Sequence, residues 1–311
     1  MGIEAFNKFM EWFARLLVVW VLAAAIMGYF VPQAFLPAKA FSDIFFSFTM
    51  FGIGCLLSAN DFKPIFKKPK FVFLGVLAQF IIMPVLAFLI VRLFNIPPAL
   101  AIGLIIAASV PDAMAAGVMS YLADADVAFS VALTASTTII SPVVTPGLIY
   151  FLGRQYVPIQ FWPMFKSIMA MVIIPLIAGL AARHFFYKTI SRVKTVFPAM
   201  STLFIAFICG LVVALNKDAL SKITIIILLG VVLLNILGLF FGYMAGALFR
   251  FDLKKRRTLA IGVGMQNAGM GAVLAIKHFS PESAIPNALF ATWCILTAAV
   301  LAEIWRTKAN K

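Results

Sequence analysis

Acidic side chains are scarce in this chain: 11 Asp and Glu stand against 25 Lys and Arg in 311 residues. Of those carboxylates, Asp112 alone falls near the middle of a long apolar run. The paired intramembrane aspartates that an aspartyl protease would use are therefore lacking. Histidine occurs twice, as His184 and His278, at the ends of different apolar runs, which excludes the clustered ligands of a metalloprotease. The cysteines, Cys55, Cys209 and Cys294, all sit inside apolar runs, with neither a disulfide framework nor zinc-ligand spacing, and read as small apolar filler. Long polar stretches are missing too, so no soluble catalytic or signalling domain is left over. The chain is not expected to be an enzyme or to carry a cofactor.

Apolar length is what the sequence has in abundance. Hydrophobic residues make up 64% and charged residues 12%, with a mean hydropathy of +1.07, far outside the range of soluble domains. A helix crosses a bilayer with about 20 apolar residues. Ten such spans are expected, near 12–31, 41–59, 71–92, 98–121, 127–152, 161–182, 196–215, 222–249, 257–278 and 286–305. The predicted fold class is an all-α polytopic membrane protein in two five-helix halves, 1–153 and 154–311. An odd number of spans per half makes the second half enter from the opposite side, so the halves are expected to form an inverted repeat. Leu100-Ala101-Ile102-Gly103 and Leu259-Ala260-Ile261-Gly262 open the equivalent spans four and nine.

The net charge of +14 raises nucleic acid as a partner, but the bases alternate with the loops. With the N-terminus inside, 18 of the 25 Lys and Arg fall on cytoplasmic segments, including Lys63 to Lys70, Arg183 to Lys194 and Arg250 to Arg257. That asymmetry is the positive-inside rule; it predicts a multi-pass protein of the inner (plasma) membrane with both termini cytoplasmic and no nucleic-acid partner. Met1 to Phe13 is amphipathic and lacks the form of a signal peptide.

Two spans are interrupted by polar, Gly- or Pro-containing signatures: Ser109-Val110-Pro111-Asp112-Ala113-Met114-Ala115-Ala116-Gly117 and Gly262-Val263-Gly264-Met265-Gln266-Asn267-Ala268-Gly269. Unwound backbone is tolerated in a bilayer where it lines a cavity, so matched breaks point to a substrate site. Two readings stand for Asp112: a protonated carboxyl bonded to the broken helix, or a member of a cation or proton site. Gln266 and Asn267 would diverge by about 100° on a continuous helix, and a break lets both reach one cavity; the alternative is polar glue between helices. The oxygens of Gln79 and of Ser130, Thr134, Ser136, Thr137 and Thr138 suit a hard cation such as sodium, although hydroxyls also bond their own helix. With almost no basic residue inside the spans, an anion would be held by N–H groups at broken helix ends. Asp124 or Asp126, and Ser280 or Ser283, are expected to cap the helices that follow them.

The Gly264-Met265-Gln266-Asn267-Ala268-Gly269 signature, the proline break leading to Val118-Met119-Ser120-Tyr121-Leu122-Ala123, the Ser130-Val131-Ala132-Leu133-Thr134 run and His278-Phe279-Ser280-Pro281 together resemble the bile acid:sodium symporter family over essentially the whole chain. The resemblance implies a core domain of spans 3–5 and 8–10 and a panel domain of spans 1, 2, 6 and 7, with helices four and nine crossing in the core. It implies elevator-like alternating access for organic anions, driven by sodium. Carried over by position, the substrate residues are Pro111, Asp112, Met114, Ala115, Asn267, Ala268 and Gly269. The ion residues are Gln79, Asp112, Ser130, Thr134, Val263, Met265 and Gln266. Three positions depart from the family. Its Ser-Asn pair on helix four is Ala116-Gly117, its shared glutamate is Gly262, and Met114 replaces a frequent hydroxyl. Asp112 stands where a small residue is expected, so the carboxylate is expected to have moved across the crossing point and to support either one altered cation site or proton coupling. The expected function is a secondary active transporter of a small or amphipathic organic anion. An uncoupled uniporter or exchanger, and a transporter-like ligand sensor, are the competing readings.

Overall fold

The computed structural model describes residues 2–58, 62, 67, 69–220 and 225–309, and they are helical almost throughout. The α-helical segments of six residues or more are α1 (Gly2–Arg15), α2 (Leu17–Phe30), α3 (Ser42–Leu56), α4 (Pro69–Leu93), α5 (Pro98–Ser109), α6 (Ala116–Leu122), α7 (Val127–Gly153), α8 (Phe161–Phe185), α9 (Tyr187–Arg192), α10 (Val196–Leu215), α11 (Ile225–Leu248), α12 (Leu253–Gly264), α13 (Ala268–His278) and α14 (Ile285–Ala309). Among the described residues, seven helical segments are long and apolar enough to cross a bilayer, or eight if α1 and α2, bent by 66° at their junction, count as one. The count falls short of ten because spans four and nine are divided. α5 has 12 residues and α6 seven, while α12 has 12 and α13 has 11, so no single piece has crossing length. The expected first span, 12–31, is bent near Leu16 instead of running straight. Positions 59 and 222–224 of the expected second and eighth spans lie outside the described residues.

The chain divides into two compact units. The first comprises residues 1–58 and 166–222. Close backbone approach holds its helices together. A Cβ on Gly28 of α2 would overlap the carbonyl of Gly210 on α10, and a Cβ on Gly54 of α3 would overlap the carbonyl of Leu176 on α8 and lie 3.0 Å from the Gly179 Cα. Without a hydrophobic drive between helices in lipid, such small-residue contacts carry much of the association. Gly54→Leu is expected to cost about 1–3 kcal/mol or more through overpacking, read as a fall in the thermal unfolding midpoint in detergent. An unchanged midpoint would show that α3 and α8 do not pack through this glycine.

The second unit comprises residues 59–165 and 223–311, and its interior is built from the divided spans. Residues Ala101 to Ser109 of α5 and Ala268 to Ala275 of α13 are all buried. Gly242 of α11 lets α12 approach: a Cβ there would lie 2.9 Å from both the Leu259 carbonyl oxygen and the Val263 side chain. The loop after α6 is tied to the start of α12. The Thr258 hydroxyl accepts from the Asp126 N–H at 2.9 Å and donates to the Asp126 carbonyl at 3.0 Å, and Arg257 Nη1 donates to the Ala123 carbonyl at 3.0 Å.

Asp126 is the N-cap of α7, its Oδ1 accepting from the Phe129 N–H at 3.0 Å. Asp124 does not cap. It pairs at 2.7 Å with Lys254, whose ammonium holds the carboxyl below the usual carboxylate range. The capping expected of Ser280 or Ser283 is not made by Ser280, which has no side-chain cap bond; the two hydroxyls lie 3.1 Å apart and bond each other.

Candidate functional site

Helix α5 ends at Ser109 and α6 starts at Ala116; helix α12 ends at Gly264 and α13 starts at Ala268. Both interruptions are extended, with Val110 and Met265 in β-like conformation. Unwound peptide groups in a buried setting must find partners, and these find each other. The Ala113 N–H donates to the Met265 carbonyl and the Asn267 N–H to the Pro111 carbonyl, both at 2.8 Å. This antiparallel pairing sets Asp112 opposite Gln266, the one isolated β-bridge among the described residues. Asn267 also caps α13 by accepting from the Met270 N–H at 3.2 Å.

Neighbouring helices secure the cut ends. Thr145 of α7 donates to the Ser109 carbonyl at 2.8 Å, and Asn235 of α11 donates from Nδ2 to the Gly264 carbonyl at 2.8 Å. Thr297 of α14 in turn donates to Asn235 Oδ1 at 2.7 Å. Both carbonyls terminate half-helices and would otherwise be unpaired in a buried region. Asn235→Ala should therefore cost about 1–3 kcal/mol, the desolvation of a carbonyl left alone, and loosen the α12 end. Hydrogen exchange of the Met265 and Asn267 amides is the check, and exchange as slow as in the parent would refute the clamp.

Asp112 is fully buried. Its Oδ2 accepts from Thr134 at 2.7 Å and its Oδ1 from Thr137 at 2.6 Å. No glycine among the described residues has a positive φ, so Gly262 is not there for its backbone freedom. A Cβ on Gly262 would lie 3.7 Å from Asp112 Oδ2 and 3.0 Å from Leu133 Cδ2. The Asp112 carboxylate thus borders the space that a side chain at 262 would enter. Gly264 and Gly271 differ: a Cβ there would strike Leu239 and the Asn287 side chain, so both are close-packing positions.

Gln79 Nε2 donates to Gln266 Oε1 at 2.9 Å, and Gln266 Nε2 donates to the Val263 carbonyl at 2.7 Å. Gln79 Oε1, Ser130 Oγ and Thr138 Oγ1 are buried with no hydrogen-bond partner. Buried oxygens left unpaired are costly, and a cation or water bonding to them removes that cost.

Burial sorts the sequence-predicted residues into two layers. Pro111, Asp112, Val263, Met265 and Gln266 are buried along the paired segments, with Gln79 and Ser130 buried on α4 and α7 and Thr134 half-buried on α7. Met114, Ala115 and Asn267 are half-buried, whereas Ala268 and Gly269 sit in the buried start of α13. Contacts bring together Pro111, Asp112, Thr134, Gln79, Met265, Gln266 and Asn267. No hydrogen bond links Ser130 to Asp112. Sequence reading missed Thr137 as a carboxylate partner, and Thr145, Asn235 and Thr297 as clamps. One signal was present: Ser130, Thr134, Thr137, Ser141 and Thr145 recur every three or four residues, the spacing of one helix face.

Two divided spans crossing at a buried carboxylate, in a chain of apolar helices, define a membrane transporter. Residues 43–223 match the Sodium Bile acid symporter family. The chain belongs to that family. It is 36% identical over 293 residues to an uncharacterized sodium-dependent transporter, YocS, of Bacillus subtilis, covering 94% of this chain and 91% of that one. It is 32% identical over 295 residues to a probable sodium/metabolite cotransporter, BASS1, of Arabidopsis thaliana chloroplasts, covering 94% and 74%. In fold it is similar to the sodium proton antiporter MjNhaP1 from Methanocaldococcus jannaschii, with a TM-score of 0.62 at 13% identity over 99% of this chain and 97% of that one.

Proposed function

We propose that this protein is a secondary active transporter that carries a small or amphipathic organic anion by alternating access, driven by one sodium ion held against Asp112. The observation that carries the reading is the crossing itself. A buried carboxylate is held on an unwound segment paired with a second unwound segment, and the half-buried Met114, Ala115 and Asn267 lie on the same two stretches of chain. Hydroxyl and amide oxygens around that carboxylate suit a hard cation. Sodium in the names of both relatives supports the same choice.

A single buried carboxylate supports a stoichiometry of one sodium. Asp112 is the only buried acidic residue among those described, so one sodium ion neutralises the site before the substrate binds. One sodium with one monoanion moves no net charge, so uptake is insensitive to membrane potential. The boundaries of the two compact units support a core of spans 3–5 and 8–10 and a panel of spans 1, 2, 6 and 7. The charge pattern supports an inner-membrane location with both termini cytoplasmic.

The test is a thermal-shift screen of organic anions, with and without sodium at two pH values, followed by proteoliposome uptake of each hit. Sodium-dependent stabilisation and uptake are expected. Uptake that follows a pH gradient and ignores sodium would assign the carboxylate to protons instead, and counterflow blind to both gradients would mark an uncoupled carrier.

A further inference from the structure

The transport reading leaves one part of the first unit unused, the amphipathic helix α1 and the segment beside it. Phe6, Phe9 and Trp12 follow helical spacing and are 44%, 53% and 51% exposed, while Asn7 and Glu11 fall on the opposite face. Asn7 docks the helix, its Oδ1 accepting from the buried Thr195 hydroxyl at 2.6 Å and its Nδ2 donating to the Arg192 carbonyl at 3.4 Å, while Lys8 and Glu11 stay exposed. The same bonds join α1 to the end of a segment that opens on Phe186 and Tyr187, 65% and 60% exposed. Lys188, Arg192 and Lys194 follow that run, all exposed.

We propose that α1 and the 186–194 segment form one anchor that lies in the membrane interface and binds the headgroups of anionic phospholipids. The fold supplies the reason to choose lipid as the partner. α2 begins at Leu17, directly after α1, and is apolar on every face, as a bilayer-crossing helix is. The chain turns by 66° at that junction, so α1 leaves the direction of the span. A helix with aromatic residues on one face, charged residues on the other and a membrane span at its end lies in the interface plane. Trp12 and Tyr187 belong at the headgroup level, where the ring bodies are covered and the N–H and O–H stay wet, and the phenylalanines beside them enter the acyl boundary. The neighbouring bases then meet lipid phosphates, each contributing about fivefold to affinity for an anionic surface at low salt.

Two measurements on the full-length protein in nanodiscs test this. In the first, Trp20, Trp162, Trp293 and Trp305 are replaced by Phe, leaving Trp12 as the sole tryptophan. Its fluorescence should be quenched most by lipids brominated near the glycerol backbone, less by lipids brominated at the chain ends, and weakly by aqueous iodide. Strong iodide quenching with no effect of bromolipid would place α1 in water, and maximal quenching from the chain ends would make it part of a crossing helix. Either result overturns the proposal. In the second, the parent and Lys188→Gln/Arg192→Gln/Lys194→Gln are compared in phosphatidylglycerol and phosphatidylcholine discs. The parent should prefer the anionic lipid, and the triple variant should lose roughly a hundredfold of that preference. The same preference in both proteins overturns the assignment of the bases.

Discussion

Asp112→Asn is expected to abolish sodium-driven uptake while leaving a folded protein. Asn has nearly the volume of Asp and offers one acceptor and one donor where Asp offered two acceptors. The two threonines accommodate that change. Thr134 can still donate to the remaining oxygen, and Thr137 can accept from the new amide while its own hydroxyl turns to the Leu133 carbonyl, already 3.0 Å away. Sodium loses its only full counter-charge. Breaking one side of a buried ion pair costs about 3–5 kcal/mol, which corresponds to a fall of roughly two to three and a half orders of magnitude in sodium affinity. The sign in the absence of sodium is opposite. Removing a buried, uncompensated carboxylate should leave the sodium-free midpoint unchanged or raise it. Thermal unfolding with and without sodium separates these effects, because a merely structural Asp112 would lower both midpoints. A variant whose midpoint still rises with sodium as the parent's does would remove Asp112 from the ion site.

Much of the fold is legible in the sequence because crossing a bilayer imposes a length and an apolar composition that local reading can count. The expected positions of spans four and nine fit α5 with α6 and α12 with α13, and the polar signatures fall on the breaks. Nothing local reports the bend after α1, since Arg15 to Leu17 contain neither proline nor glycine. Asn235 was equally silent, being one amide in an apolar helix whose meaning comes from a carbonyl 29 residues on. The site was legible in composition and less so in pairing. Asp112 stands out as a mid-span charge, but its placement opposite Gln266 depends on two unwound segments finding each other across 154 residues (266 − 112). Thr137 was visible only as one of several hydroxyls until the helix register aimed it at the carboxylate.

The strongest test of a relocated charge is to move it back. A Glu at position 262 starts 3.7 Å from Asp112 Oδ2, and its nearest obstacle is Leu133 Cδ2, the end of a flexible side chain that can shift by a few tenths of an ångström. Gly262→Glu alone places two carboxylates side by side, and like charges so close raise each other's cost of ionisation unless cations neutralise them. That variant should bind sodium with a Hill coefficient rising from about 1 toward 2, and uptake of a monoanion should become sensitive to membrane potential. Asp112→Ala alone should lose sodium binding as Asp112→Asn does. The double variant Asp112→Ala/Gly262→Glu restores one carboxylate to the same space from the other chain segment, and sodium affinity should recover to within about tenfold of the parent, a residual of about 1.4 kcal/mol for imperfect placement. Double-mutant analysis isolates the coupling, because the two positions are neighbours and their effects do not add. If the double variant binds sodium no better than Asp112→Ala, the two positions do not share a site, and the carboxylate at 112 acts through its own segment alone.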